Sequence, residues 1–300
     1  MTDIPELERR IAALSSNRQS GASEIRDEAI AILLTARALD TPLVPLARSL
    51  IRAQPSMAPL WNAALAALAS ERSPGRFDRF VQQVARAPDA LRRFAAECFS
   101  LEAPGNDLHL VTLSRSRAAL TVIEAARTRG ELQVSCSESR PVLEGRQLAA
   151  RLAAQGIAVT CFSDAAIGHA LVAADAVVVG ADAIAPEWFI NKAGTRMLAA
   201  AAQHRGIPVY VAATRDKFVG HAVAGQLAIR DESPAEIWET PPPGVEIRNP
   251  YFETIPLDLV TLVISDAGLL GAALVPDVCE SLHDTEIVGA LERLRGEESR

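Results

Sequence analysis

Five short, mainly apolar runs, separated by stretches with helical periodicity, constrain the fold of this chain more than any other feature. These candidate strands are Leu108–Thr112, Leu132–Cys136, Ile157–Cys161, Ala176–Val179 and Val209–Ala212. A strand that is apolar at successive positions is buried on both faces, which requires helices on each side of a parallel sheet. The predicted helices between the strands are Arg115–Arg129, Leu143–Gln155, Ala165–Ala173 and Gly194–Arg205.

The first hundred residues have a different pattern, which is helical throughout and rich in alanine, leucine and arginine. Between Gly21 and Ala38, apolar residues recur at the spacing of one face of an amphipathic helix. The change of period near Gly105 predicts two domains. We therefore expect an α/β protein with a helical N-terminal domain over residues 1–104. A Rossmann-like parallel sheet with helices on both faces is expected over residues 105–300.

The composition argues against several functional classes. The net charge is −7 and no basic tract offsets it, which argues against nucleic-acid binding. The apolar run from Val172 to Ala185 is interrupted by Asp175 and Asp182, and the N-terminus has no export-signal pattern. We therefore predict a cytoplasmic protein without a membrane span. The four cysteines are expected to be reduced, buried thiols because they lack disulfide-type or metal-type spacing. Since phosphate-loop and dinucleotide fingerprints are missing as well, no metal or cofactor is predicted.

Lys192 and Lys217 are the only lysines among thirty basic residues, and each follows a predicted strand. We expect Lys192 in a loop between a buried strand and a helix. An ammonium is a compact point charge with three donors, whereas a guanidinium is a rigid planar fork. Ligands of parallel sheets bind outside the carboxyl ends of the strands, so the placement of both lysines favours a binding role. The alternative is chance retention on solvated loops.

Further polar residues follow the strands, and each has two interpretations. Ser114 lies where hydroxyls at a helix start can hold an anion, although helix capping by Ser114 or Ser116 explains the same pattern. Arg140 can grip a phosphate or pair with Glu138. Asp182 ends the fourth strand, where it can act as a general base, accept a hydroxyl hydrogen bond, or cap the next turn.

A helix start near Lys192 is a candidate phosphate cradle. Gly194 and Thr195 open a predicted helix whose first turn has no acidic residue. Main-chain N–H groups at such an N-terminus attract anions, and Lys192 just before it adds a positive charge.

Four sequence elements occur in order and resemble the signatures of one family. They are Glu138–Pro141 with Glu144–Leu148, Val179–Ile184, Asn191–Thr195 and Asn249–Pro256, which resemble its ESRP…xGxxL, VGADxI, NKxGT and NPxFExxP elements. The family joins the regulatory alpha, beta and delta subunits of eukaryotic translation initiation factor 2B to two sugar-phosphate isomerases. In addition, Ser20–Ile25 resembles its glycine-containing N-terminal element and implies a site role for Gly21 and Ala22.

The resemblance implies a ligand and a set of roles. Because the two isomerases act on methylthioribose 1-phosphate and ribose 1,5-bisphosphate, it implies a phosphorylated pentose or nucleotide-like ligand. It also implies a homodimer or higher homo-oligomer. Asp182 would move a proton between the sugar C1 and C2 carbons. The residues expected to hold phosphate and hydroxyl groups are Ser114, Arg140, Asn191, Lys192, Gly194, Thr195 and Lys217.

One departure from the family pattern leaves two hypotheses open. In the isomerases a cysteine in the first loop works with the aspartate of VGAD, and Ser114 stands at the position of that cysteine. A serine hydroxyl is far less acidic than a thiol, whose reference pKa is about 8.5, so it needs a nearby group to activate it. Cys136 and Cys161 are interpreted as core thiols rather than substitutes. The chain is therefore either an aldose–ketose isomerase or a non-catalytic, factor 2B-like regulatory or interaction subunit that senses a sugar phosphate or nucleotide.

Overall fold

Helices form the N-terminal part and surround the rest of the protein. The computed structural model describes residues 4–101 and 107–296. Its α-helices are α1 (Ile4–Ser16), α2 (Ala22–Ala38), α3 (Leu43–Ala53), α4 (Ala58–Ala69), α5 (Arg76–Leu101), α6 (Arg117–Ala126), α7 (Glu144–Ala154), α8 (Thr195–His204), α9 (His221–Ala224), α10 (Val275–Ser281) and α11 (Thr285–Gly296). Helix α4 is apolar around its circumference because α2, α3, α5 and the C-terminal α11 pack against it. The predicted domain boundary lies outside the described residues, and the division into two domains stays a prediction.

A seven-stranded sheet forms the centre of the second part. The strands of this sheet and of a second, smaller sheet are, in chain order, β1 (Asp107–Thr112), β2 (Glu131–Ser137), β3 (Ala158–Phe162), β4 (Ala176–Gly180), β5 (Ala183–Ile184), β6 (Trp188–Lys192), β7 (Val209–Ala213), β8 (Phe252–Pro256), β9 (Leu262–Ser265) and β10 (Gly268–Leu270). The main sheet has the order β10-β9-β7-β4-β1-β2-β3, and its neighbours are parallel except β9 and β10. The predicted α/β class with a mostly parallel sheet is confirmed.

The five predicted strands are present, but the local pattern missed others. Each predicted strand overlaps an observed one, with bounds that differ by one residue or less. The short strands β9 and β10 extend the sheet beyond them. The stretch predicted as an α-helix over Ala165–Ala173 is instead a 3-10 helix over Asp164–Val172. Among the described residues, no helix is long and apolar enough to cross a membrane.

A small antiparallel sheet, β5-β6-β8, corrects the prediction for Lys192. Lys192 ends strand β6, opposite Phe252 of β8, so the expectation that it lies in a loop is wrong. The pairing joins the NKxGT element to the NPxFExxP element, which is about sixty residues away in the chain. Local periodicity cannot detect such a pairing, because neither strand is long or alternating enough by itself.

Candidate functional site

One cavity collects most of the predicted site residues. It lies between the carboxyl ends of the parallel strands, strand β6 and the first turn of α2. The predicted residues that line it are Gly21, Ala22, Ser114, Asp182, Asn191, Lys192 and Lys217. Arg140, Gly194 and Thr195 are not among the lining residues. The topology explains the convergence, because β1 and β7 flank β4 and the loop that follows each strand supplies one of the polar groups.

The carboxyl group of Asp182 faces the cavity, and its pKa is unusually high for an aspartate. Burial raises its pKa from 3.8 to about 6; Lys217 and Lys192 oppose this shift, and Glu144 adds to it. Its backbone is held by hydrogen bonds to Ile190 and Ala58. Within the part of the chain that the structure describes, its side chain accepts no hydrogen bond. A carboxyl group in this state can both give and take a proton near neutral pH.

Lys217 is buried and forms no ion pair with any residue that the structure describes. Its residue is 3% exposed, and burial lowers its pKa below the usual value. The neighbouring Asp216 is bound by Arg26 at 2.9 Å, and no described carboxylate lies within ion-pair distance of the Lys217 Nζ. Because a buried charge without a partner is costly, this arrangement suits a protein that receives its counter-charge from a ligand.

Lys192 is paired and oriented within the same cavity. Its Nζ lies 2.9 Å from Glu144 Oε1 and 4.8 Å from the centroid of the Tyr251 ring. Asn191 lines the wall beside it, and its amide donates to Thr195 Oγ1 at 2.9 Å. The carboxylate and the aromatic face hold the ammonium in place at the cavity wall.

The first turn of α2 provides main-chain donors. Gly21 is the N-cap, and its N–H donates to Glu24 Oε2 at 3.0 Å. The N–H groups of Ala22 and Ser23 have no acceptor among the described residues. This 17-residue helix therefore directs the positive end of its dipole and two unused donors at the cavity. Arg115 lies beside them and donates to Glu24.

Ser114 does not cap a helix, although its position in the sequence allowed that role. Ser116, not Ser114, caps α6 by accepting the Ala119 N–H at 3.3 Å. Ser114 has a φ of 62°, a left-handed conformation that is uncommon for a non-glycine residue. Its N–H donates to Ser139 Oγ at 2.8 Å, and its Oγ donates to Glu144 Oε1 at 3.0 Å.

The structure places three predicted phosphate-binding residues elsewhere. The Arg140 side chain is 66% exposed and pairs with Glu138, which is the alternative that the sequence left open. The N-terminus of α8 at Gly194 and Thr195 is already capped, since the Glu253 carboxylate accepts from the N–H groups of Gly194 and Arg196. A phosphate there would have to displace a carboxylate, so these residues support β6 rather than line the cavity.

Several lining residues had not been identified from the sequence as site residues. Glu144, Arg115, Arg117 and Tyr251 all contribute to the wall. Glu144 and Tyr251 lie inside two of the four family-like elements, which was the only available signal for them. Arginine is too frequent in this chain for Arg115 and Arg117 to be recognised by type.

The cysteines do not contribute to the cavity. Cys136 is buried in the core, and burial raises its pKa to about 12, with Cys161 adding to the shift. Cys161 is exposed, so the prediction that all four thiols are buried is wrong at this position. Its strand β3 is at the edge of the sheet, where one side has no neighbouring strand. Neither thiol lines the cavity.

Gly145 fixes the position of Glu144, and its replacement gives a first prediction. A Cβ at this residue would lie 1.9 Å from the Ser137 carbonyl oxygen and 2.8 Å from Ser139 Oγ. We expect Gly145→Ala to lower the free energy of unfolding by about 3 kcal/mol, because the backbones of α7 and β2 must separate. Urea unfolding measures this loss. The control Gly168→Ala, which has open space around the new Cβ, should change stability by less than about 0.5 kcal/mol.

Comparison with known proteins agrees with this fold. A sequence model of the initiation factor 2 subunit family matches residues 22–272, which is most of the chain. The chain belongs to this family. Ribose 1,5-bisphosphate isomerase of Methanocaldococcus jannaschii is 34% identical over 205 residues, covering 67% of this chain and 65% of that protein. Methylthioribose-1-phosphate isomerase of Desulforudis audaxviator is 37% identical over 163 residues, covering 51% and 47%. The chain thus spans about half to two thirds of the length of these curated relatives.

Solved structures share the whole architecture. The translation initiation factor eIF-2B of Pyrococcus horikoshii OT3 superposes with a TM-score of 0.74 at 27% identity, covering 88% of this chain and 96% of that one. The 5-methylthioribose 1-phosphate isomerase of the same organism gives a TM-score of 0.66 at 22% identity, which is a likeness of fold alone. The family resemblance carried by the four sequence elements is therefore confirmed.

Proposed function

We propose that the cavity binds a phosphorylated pentose and that the protein interconverts its aldose and ketose forms. The observation that carries the proposal is that the half-buried Asp182 and the buried Lys217 face one cavity beside the N–H groups of Ala22 and Ser23. Among the described residues, neither side chain is in an ion pair. The lysine and the helix terminus suit phosphate groups, and the carboxyl group suits proton transfer. The isomerase names of the relatives support the same substrate class.

The chemistry of a C1-phosphorylated pentose matches what the site offers. Such a sugar has no free aldehyde, so the bond from C1 to the ring oxygen must break before a ketone can form at C2. The ring oxygen gains a proton, the C2 hydroxyl loses one, and the hydrogen on C2 moves to C1. A group with a pKa of about 6 can take part in such transfers at moderate pH.

The alternative is a non-catalytic subunit that binds the same ligand class. Ser114 at the position of the family cysteine favours it, because a hydroxyl gives up its proton much less readily than a thiol. The raised pKa of Asp182 favours the enzyme, because a pocket that only binds a ligand does not need a carboxyl group that exchanges its proton near neutral pH. Assembly as a homodimer or larger homo-oligomer stays a prediction in either case.

NMR of the purified protein with ribose 1,5-bisphosphate and other phosphopentoses separates these functions. We expect the aldose signals to be replaced by those of the ketose. Saturable binding without conversion would leave the non-catalytic sensor in place. A chain that neither converts nor binds any of these sugars would contradict both functions.

A further inference from the structure

Ser114, Glu144 and Lys192 form a hydrogen-bonded chain that ends at the cavity. Ser114 Oγ donates to Glu144 Oε1 at 3.0 Å, and Lys192 Nζ lies 2.9 Å from the same oxygen. The carboxylate is 12% exposed and the lysine side chain 6%, so water screens the pair weakly. The second oxygen, Glu144 Oε2, is buried and has no hydrogen-bond partner among the described residues.

The location of Glu144 is unexpected for a residue that only lines a phosphate pocket. A carboxylate repels phosphate, and here it also raises the pKa of Asp182 across the cavity. The charged residues that line the cavity with Glu144 are Lys192 from β6, Asp182 after β4, Lys217 after β7, Arg115 and Arg117 after β1, Arg151 from α7, Glu24 from α2 and Arg18 before it. Of these, Lys192 is the one in direct ionic contact with Glu144, through the same oxygen that accepts the Ser114 hydrogen bond.

We propose that Glu144 activates Ser114 as the base for the substrate C2 hydroxyl, in the place where the family uses a cysteine. This rests on the isomerase function proposed above. The C2 hydroxyl proton passes to Ser114 Oγ while the Ser114 proton passes to Glu144 Oε1. The C2–H electron pair moves to C1 with its hydrogen, and the pair of the C1–O bond moves to the ring oxygen. The ring oxygen takes its proton from neutral Asp182.

This division of roles changes the expectation for Asp182. The sequence predicted that Asp182 moves a proton between C1 and C2. In the mechanism proposed here, Ser114 instead takes the proton of the C2 hydroxyl group. Asp182 is then left as the acid, and a proton must return to it from Glu144 between turnovers. Both carboxyl groups face the same cavity, and water carries this proton, since Glu144 releases one and Asp182 takes one up in each turnover. Glu144 acts through Ser114 and is a positioning residue rather than one that touches the substrate.

A double-mutant cycle in ribose 1,5-bisphosphate turnover tests the proposal. We expect Glu144→Gln to lower kcat at least about 100-fold with little change in KM, because the amide cannot take the Ser114 proton. In a Ser114→Ala background the same change should have no further effect. In a Ser114→Cys background it should cost less than about fivefold, since a thiol ionises without help. A purely structural role for Glu144 would give the same loss in all three backgrounds.

The matched control changes a nearby carboxylate that lies outside the cavity. Glu138→Gln removes the same charge six residues away, outside the cavity, and should leave kcat unchanged within about twofold. If Glu144→Gln binds substrate more tightly and turns over at the original rate, Glu144 is only an anion that occupies the empty site, and the proposal is wrong. If the unaltered chain binds the sugar but never converts it, the isomerase function is wrong and this proposal falls with it.

Discussion

Asp182→Asn is expected to abolish sugar-phosphate turnover while it makes the free protein more stable. Loss of a general acid lowers kcat by about 1,000-fold, and the similar size of the amide should keep the affinity for substrate within about threefold. Kinetics by NMR and calorimetric titration measure the two quantities separately. A variant that keeps most of its turnover would contradict the role of Asp182 as the acid.

The stability gain follows from the direction of the pKa shift. The folded pKa of about 6 lies above the usual value of 3.8, so ionised Asp182 opposes folding. The penalty is complete above about pH 6 and disappears as the pH falls to about 4. At pH 7.5, Asp182→Asn should therefore raise the free energy of unfolding by up to about 3 kcal/mol, and near pH 4 the gain should be close to zero. Urea unfolding at the two pH values checks the sign.

Lys217→Met is expected to weaken ribose 1,5-bisphosphate binding by about 100-fold. Removal of a buried charge that contacts an oppositely charged partner typically costs 2–5 kcal/mol of affinity, about 30-fold to several thousand-fold. The free protein should not lose stability, because burial lowers the pKa of Lys217 and its charged form therefore opposes folding below that pKa. The expected combination is a large loss of affinity with an unchanged or higher Tm.

Arg140→Ala is the matched control for Lys217→Met. The sequence singled out both residues as phosphate ligands, but the structure leaves Arg140 exposed and paired with Glu138, away from the cavity. Its loss should change the dissociation constant by less than about twofold. Equal weakening by both variants in calorimetric titration would indicate a general electrostatic effect and contradict a specific role for Lys217.

The parts of the fold that local pattern encodes were predictable, and those that depend on distant pairing were not. The runs that became β4 and β7 are apolar at successive positions, which identifies buried parallel strands. The pairing of β6 with β8 joins segments about sixty residues apart, and it moved Lys192 from a predicted loop to a strand. The family-like elements marked both segments but gave no information about how they pair.

The site was predictable where a rare residue type or strand end marked it. Lys217 and Asp182 were singled out in this way, and both line the cavity. Gly194 and Thr195 were not excluded, because the carboxylate that caps α8 comes from Glu253, far along the chain. Glu144 was missed because its contact with Ser114 spans thirty residues of the chain, which no local pattern encodes.

A crystal structure of Asp182→Asn with ribose 1,5-bisphosphate tests the central claim most directly, because this variant should hold the substrate without converting it. We expect density for one phosphate group within hydrogen-bond distance of the Ala22 and Ser23 N–H groups, with Lys217 in contact with the sugar phosphate. Density for phosphate at the N-terminus of α8, with Glu253 displaced from Gly194 and Arg196, would contradict it.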